Sequence, residues 1–387
     1  MNTLRRTLLA TAGTLALAAA LPVAAQTQTV KIAVLQELSG AGATAGTNAR
    51  NGAMMAIKEI NEAGGILGRK IEATVADTQS NPGVAKGLAA KAVDDNVFAV
   101  IGPTFSGSIM VSMAETKRAE IINFTGGEAA SITQQGNPYI FRTSFTQTTA
   151  MPKVARYIAS NLKAKTVAVI FVNNDFGKGG RDSFSKAAEA FGMKVVADIS
   201  TDSGQVDFSA PVLRAKQSNA DAIFVYTNEE ESARALRELR KQGITKPIVG
   251  ETTLTGQKVI ELAGDAANGA VAHVGLTVDA PNPLMLKFKA KFYESYKYIS
   301  DHNGIKGYTA PYMLKAAIEK VGKFDRIAVA KALHGLQLTV AKHPGVLMDV
   351  SIDANGDLDR DSYVVEVKDG RQVVKEVLPA LSAPARK

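Results

Sequence analysis

The sequence predicts an α/β protein built from two units, each a parallel sheet with helices on both faces. Three observations predict it. Short β-rich runs alternate with helical patterns, the sequence signature of parallel strands linked by helical crossovers. The alternation restarts after about residue 146. The carboxyl ends of the predicted strands are repeatedly small, hydroxylated or glycine residues.

Taken in order, "VKIAVLQ" (30–36) reads as a buried strand. "NARNGAMMAIKEINEAGG" (48–65) reads as a helix, with Ala53, Ile57 and Ile60 on one face and Gly64-Gly65 as its stop. "IEATVAD" (71–77) is the next strand, followed by a helix over Pro82 to Asp94, the strand "FAVIGP" (98–103), a helix over 107–118 and "EIINF". In the second unit, "TVAVIFV" (166–172), "KVVADIS" (194–200), "DAIFVYT" (221–227) and "PIVG" (247–250) are strands. Helices are expected between them at 179–191, 208–218 and 229–242. The chain then leaves this order, with helical patterns over 284–298 and 307–337 and strand-like "VLMDVSIDANGDL" and "YVVEVKDGRQVVKEV". Asp369-Gly370 between apolar alternations signals a hairpin. No low-complexity linker separates the halves, so the two units are expected to pack closely.

Residues 1–25 read as a cleaved signal peptide. Arg5 and Arg6 precede an apolar run from Leu8 to about Leu21, and Val23-Ala24-Ala25 before Gln26 has the small residues of a cleavage site. The run is short for a membrane span of about 20 residues. General secretion into a periplasm is the expected route, with no lipid-anchored cysteine, since the chain has no cysteine. Removing 25 of 387 residues leaves 362, enough for about two domains without disulfide staples. The formal charge of +8 falls to +6 once Arg5 and Arg6 leave. The lysines and arginines intersperse with acids, as in "RALRELRKQG", which is a solvated surface rather than a nucleic-acid stripe. Nucleic acid is not an expected partner.

Catalytic and cofactor patterns are missing from the sequence. "LSGAGATAG" (38–46) follows a strand as a dinucleotide fingerprint would, but the acid at the end of the second strand, Asp77, lies too far along the chain. His273, His302, His334 and His343 lack metal-ligand spacing. There is no G-x-S-x-G elbow. "DANGD" (353–357) opens like a calcium loop, but Leu358 and Val364 stand where glycine and the bidentate acid are needed, so it reads as a hairpin turn. No cofactor, no metal and no enzymatic activity are expected.

Six strand ends carry polar or glycine-rich loops: Ser39-Gly40, "GPTFSGS" (102–108), "TGGEA" (125–129), "NNDFGKG" (173–179), "YTNEE" (226–230) and "GETTLT" (250–255). Ligands of open α/β sheets bind outside the carboxyl ends of the strands. Two such units facing each other describe a cleft.

Over nearly all of the mature chain the sequence resembles type I periplasmic solute-binding proteins of the branched-chain amino acid (leucine/isoleucine/valine-binding) ABC transporter family. The matching stretches are "KIAVLQELSG", "NGAMMAIKEINEAGGILGRKIE", "VFAVIGPTFSGS", "DFGKGGRDSF", "GQVDFSAPVLRAKQSNADAIFV", "LRELRKQGI" and "ELAGDAANGAV", in the family's order and spacing. The resemblance implies two Rossmann-like lobes joined by three hinge crossings. Lobe 1 would comprise 27–145 plus 276–350, and lobe 2 would comprise 146–275 plus 351–387. It also implies closure on a small ligand, with delivery to the membrane permease subunits of an ABC importer.

The family's site residues carry over unevenly. The serine that holds a ligand carboxylate matches Ser106, with Thr104 nearby, although Ser106 could instead cap the following helix. The carbonyl and hydroxyl that meet the ligand's ammonium group match Gly126 and Glu128, the second a departure, with Gly127 between them. Aromatic cover matches Ala45 and Phe176, and a third aromatic position falls at Asn228 or Glu229. The acid that pairs with the ammonium falls at Glu251 or Thr252. Losing two aromatics implies a roomier, more polar pocket than one built for leucine. Glu128 has two readings, a helix-N-terminal acid in solvent or a ligand contact whose partner is a donor on the ligand. The leading expectation is a receptor for a small polar ligand such as an amino acid. The alternatives are a receptor for an amide, urea or aromatic carboxylate, and a regulatory ligand sensor of the same fold.

Overall fold

Unbroken apolar runs make strands buried on both faces, and helices must then cover those faces. The computed structural model describes residues 29–380; the predicted signal peptide lies outside them. In the first unit β1 (Val30–Gln36), β2 (Ile71–Asp77), β3 (Ala99–Ile101), β4 (Ile122–Thr125) and β5 (Ile140–Arg142) form a parallel sheet in the order β2-β1-β3-β4-β5. Helices α1 (Ala43–Glu62), α2 (Pro82–Asp94) and α3 (Ser106–Arg118) connect its strands. α1 begins five residues earlier than its periodicity suggested and ends where Gly64 and Gly65 take φ of 105° and 86°.

The second unit begins with α4 (Gln147–Ser160), which the sequence pattern did not reveal. It continues with β6 (Thr166–Val172), α5 (Asp175–Ala190), β7 (Lys194–Thr201), α6 (Ser209–Gln217), β8 (Ala222–Tyr226), α7 (Glu229–Lys241), β9 (Ile248–Gly250), α8 (Gln257–Ala263) and β10 (Val271–Val274). The chain returns to the first unit with α9 (Pro283–Tyr296), α10 (His302–Val321), α11 (Arg326–Leu333) and a small antiparallel sheet of β11 (Gln337–Leu338), β12 (Val350–Ile352) and β13 (Leu358–Asp359). β14 (Ser362–Lys368) then adds antiparallel to β10 and β15 (Arg371–Leu378) antiparallel to β14, completing a sheet in the order β15-β14-β10-β9-β8-β6-β7.

One expectation is corrected here. The helical pattern over 307–337 is two helices, because Gly322 ends α10 in the left-handed region and Asp325 caps α11 by accepting the Ala328 N–H. Within "VLMDVSIDANGDL", Asp353 to Asp357 turn back between β12 and β13, the hairpin turn read from the sequence. The hairpin at Asp369-Gly370 forms as read, with φ of 48° and 76°, the left-handed pair of a type I′ turn.

The chain passes between the units at 143–146, 275–282 and 360–361. Ile352 and Leu358 pack in the same cluster as Ile32, Val34 and Phe124, so we place the last crossing after Asp359 rather than at 350. The second sheet has a cluster on each face, one around Ile170 and Leu236, the other around Phe184 and Phe224. A further cluster joins the units, combining Met55 of α1, Phe288 and Phe292 of α9 and Tyr308 of α10 with Ala272, Val274 and Val365 of the second sheet. One contact matters for the site. A Cβ on Gly52 would lie 1.9 Å from the Gly304 carbonyl oxygen, and one on Gly307 2.0 Å from that of Ala49. These glycines let α1 and α10 cross backbone to backbone, which fixes the depth at which Lys306 enters the cleft.

Candidate functional site

The carboxyl ends of both sheets face one cavity of about 210 Å³, below the roughly 300–1,000 Å³ of drug-sized ligand sites. Six helices begin at its wall. It is lined by Ala41 and Ala45 near the start of α1, Ser80 and Pro82 at α2, Phe105 to Ser108 at α3, Asn174 and Phe176 at α5, Asn228 and Glu229 at α7, and His302, Asn303 and Lys306 at α10. Thr104, Gly126, Gly127, Glu128, Ser203 and Thr253 complete it. The units meet across this cavity. The Tyr226 hydroxyl donates to Glu128 Oε2 at 3.1 Å, Asn303 Nδ2 donates to Glu229 Oε1 at 3.0 Å, and the Thr44 hydroxyl donates to Glu230.

Two wall loops are held by buried polar groups behind them. The Glu37 carboxylate accepts the Thr104 and Phe105 N–H groups at 3.0 and 3.1 Å, and the Thr104 hydroxyl donates to Gln36. Ser106 does not cap α3. It is the first helical residue, and its Oγ accepts the Ala129 N–H at 3.3 Å. Phe105, the residue before α3, supplies no side-chain cap. The N–H groups of Ser106, Gly107 and Ser108 therefore have no acceptor among the described residues.

The loop from Gly126 to Ala129 is pinned by Arg142, which is fully buried. Its guanidinium donates to the carbonyls of Gly127 and Ala129 and pairs with Asp357 at 2.6 Å. The Ser144 hydroxyl adds a second donor to the Gly127 carbonyl at 2.9 Å. Gly127 is closely packed, since a Cβ there would stand 2.4 Å from Ile109 Cδ1, whose methyl group would have to move. Gly126 has more room, with Thr104 Oγ1 3.4 Å and Lys306 Cδ 3.6 Å from a built Cβ.

Glu128 settles the choice between its two readings in an unexpected way. It begins no α-helix; Ala130–Ile132 after it is a single 3₁₀ turn, and Glu128 is 6 % exposed. A solvated helix-dipole acid is excluded. Its partners, however, come from the chain itself: Lys306 Nζ lies 3.3 Å from Oε1, and the Tyr226 hydroxyl donates to Oε2. Lys306 Nζ also donates to the Gly126 carbonyl at 3.3 Å. Burial, reinforced by the nearby Glu251 charge and opposed by Lys306, pushes the Glu128 carboxyl up to about 7. Burial likewise raises Glu229 to about 8, helped by Glu230 and Asp301, and Asp301 to about 6. The His302 imidazole is held neutral by burial and Lys306.

Of the residues predicted from sequence, Thr104, Ser106, Gly126, Gly127, Glu128, Phe176 and Asn228 line the cavity together. Phe176 also stacks on Tyr226 with centroids 4.2 Å apart, so it serves packing and wall alike. Asn228 precedes α7, where its backbone N–H donates to Glu231 at 3.1 Å. Glu251 and Thr252 are not on the wall. Glu251 turns into the second unit, accepts from the Thr252 N–H and hydroxyl and lies 3.2 Å from His273 Nδ1; Thr253 is the residue exposed to the cavity. The expected loss of aromatic cover is partly made good by Phe105, which lines the cavity together with Ala41, Ala45, Pro82 and Phe176. Lys306 was missed, though a signal existed. It lies in "NGIKGYTAP" with no acid three or four residues away to pair it on a solvated face.

The family described as periplasmic binding protein matches residues 29–372. The leucine-, isoleucine-, valine-, threonine-, and alanine-binding protein of Pseudomonas aeruginosa is 30% identical over 312 residues, covering 79% of this chain and 82% of that protein. Among solved structures, a leucine-binding protein from Thermotoga maritima has a TM-score of 0.83 at 27% identity, covering 91% of this chain and 99% of the other. A solute-binding protein of an ABC transporter from R. palustris, in complex with benzoate, has a TM-score of 0.84 at 21% identity, covering 92% and 99%. That last likeness bears on the fold alone.

Proposed function

This chain belongs to the periplasmic binding protein family, with the type I fold, and from that premise we propose that it is the substrate-binding component of an ABC importer. It captures a small ligand between its two units in the periplasm and presents the closed form to membrane permease subunits. It binds without catalysing. One observation carries this reading: one cavity walled by the carboxyl ends of the parallel strands of both sheets, with side chains of the two units bonded across it. A ligand seated there touches both units at once, so it favours the closed arrangement by its differential contacts. Thr104, Ser106, Gly126, Gly127, Glu128, Phe176 and Asn228 are the proposed ligand-facing residues, joined by Phe105, Thr253, Asn303 and Lys306.

The test is small-angle scattering on protein freed of ligand by unfolding and refolding, then titrated with small organic acids, amino acids and amides in turn. A binder identified by thermal shift should reduce the radius of gyration. A binder that raises the melting temperature and leaves the radius unchanged would refute capture by closure.

A further inference from the structure

The polar groups of the cavity divide into those already engaged and those free to receive a ligand. The acceptors around Lys306 are taken. The Gly126 carbonyl and Glu128 Oε1 both face Lys306 Nζ at 3.3 Å, and Glu128 Oε2 faces Tyr226. The Gly127 carbonyl is held by Arg142 and Ser144. Across the cleft, Glu229 Oε1 accepts from Asn303. The N–H groups of Ser106, Gly107 and Ser108 open α3 with no cap. The Thr253 hydroxyl, on the opposite unit, is buried at 7 % exposure without a partner. Both border the cavity, whose apolar lining comes from Ala41, Ala45, Pro82 and Phe105 of the first unit and Phe176 of the second.

Resting on the receptor reading above, we infer that the ligand is a small carboxylate with an apolar body and no ammonium group, because Lys306 already occupies the acceptors that an ammonium would need. A ligand carboxylate meets the uncapped first turn of a helix, which supplies N–H donors and the positive end of the dipole. A second cation brought beside Lys306 would find no unshared acceptor, and an unpaired buried charge is expensive. Glu229 points the same way, since burial leaves that acid largely uncharged at neutral pH.

The experiment compares matched pairs by calorimetric titration of the refolded protein at pH 7: 4-methyl-2-oxopentanoate against L-leucine, and benzoate against benzamide. At least one carboxylate should bind, and at least tenfold more tightly than its ammonium-bearing or amide counterpart. Lys306→Met frees the Gly126 carbonyl and Glu128, so it should weaken the carboxylate at least tenfold and narrow or reverse the preference over L-leucine. Lys306→Arg, which keeps the charge, should retain the preference if the methionine variant does not fold. L-Leucine or benzamide binding as tightly as its carboxylate partner would overturn the inference while leaving the receptor reading intact. If no probe of either kind shifts the melting temperature or the radius of gyration, both readings fall.

Discussion

Replacing Glu128 by glutamine should raise the stability of the ligand-free protein relative to the parent as the pH rises, although Glu128 sits in an ion pair. The pair is buried, with side-chain exposures of 7% for Lys306 and 8% for Glu128, and its separation is 3.3 Å. At an effective dielectric constant of about 20, Coulomb's law gives about 5 kcal/mol of attraction at that distance. Desolvation of the carboxylate and repulsion from Glu251 oppose it, and the outcome is a carboxyl raised from 4.5 to about 7. The opposing effects win. Between pH 4.5 and 7 the native state keeps a proton that the unfolded chain releases. The stability associated with that proton is full below pH 4.5 and is lost as pH rises through 7. Each tenfold change in proton affinity is worth about 1.36 kcal/mol, so the ionised form costs about 3 kcal/mol at pH 8.

Glutamine keeps the shape and stands in for the protonated acid, so the variant escapes this loss. Urea unfolding of parent and Glu128→Gln, each freed of ligand, should be measured at pH 4.5 and pH 8. The stability of the variant relative to the parent should rise by about 3 kcal/mol between the two pH values. Comparing the two conditions removes the fixed difference between an amide and a carboxylic acid. A relative stability that falls toward pH 8 would show that the pair with Lys306 outweighs burial, and the dominance of desolvation would be refuted.

Three further outcomes follow from the same geometry. Ser106→Ala should weaken ligand binding by about 1–3 kcal/mol, roughly 5- to 150-fold, and should also lower the melting temperature of the ligand-free protein, because the Ser106 hydroxyl accepts the buried Ala129 N–H; a lowered melting temperature with intact affinity would return it to a purely structural role. From pH 6.5 to 8.5 the ligand-free protein should lose stability as Glu128 and Glu229, raised to about 7 and 8, give up their protons. Below 6.5 the curve should flatten, since His273 and His302 are depressed by burial and the unfolded chain takes up protons that they refuse; a flat profile above 6.5 in thermal melts would count against it. Arg142→Met removes the ion pair to Asp357 and the guanidinium donors to the Gly127 and Ala129 carbonyls, leaving Thr133 on Asp357 and Ser144 on Gly127, so it should cost about 3–5 kcal/mol in chemical denaturation, and a loss under 1 kcal/mol would mean that these donors and solvent replace the guanidinium.

The strands and most helices were legible because their information is local. "TVAVIFV" is a buried strand whatever surrounds it, and Asp369-Gly370 turns a hairpin because both positions must take positive φ. Local signals fail where an element is short or defined by its partners. β5 and β10 have only three and four residues and exist through their ladders to β4, β9 and β14. α10 and α11 read as one helix because both carry apolar residues at helical spacing and only Gly322 and Asp325 divide them.

The site follows the same rule one level up. The loops were legible because topology puts strand ends together, so finding six polar loops amounts to finding a cleft. The direction of each side chain within those loops was not. Glu251 and Thr253 are two residues apart on one loop, yet the first turns to His273 and the second to the cavity. Glu128 shows why direction decides chemistry. Read along the chain, an acid after two glycines asks for a cation, and nothing nearby in sequence supplies one. The cation that answers it lies 178 residues away, on a helix brought into contact with α1 by Gly52 and Gly307. An acid that would have selected a cationic ligand is thereby converted into an anchor for a lysine, and the charge the cavity offers a ligand changes sign.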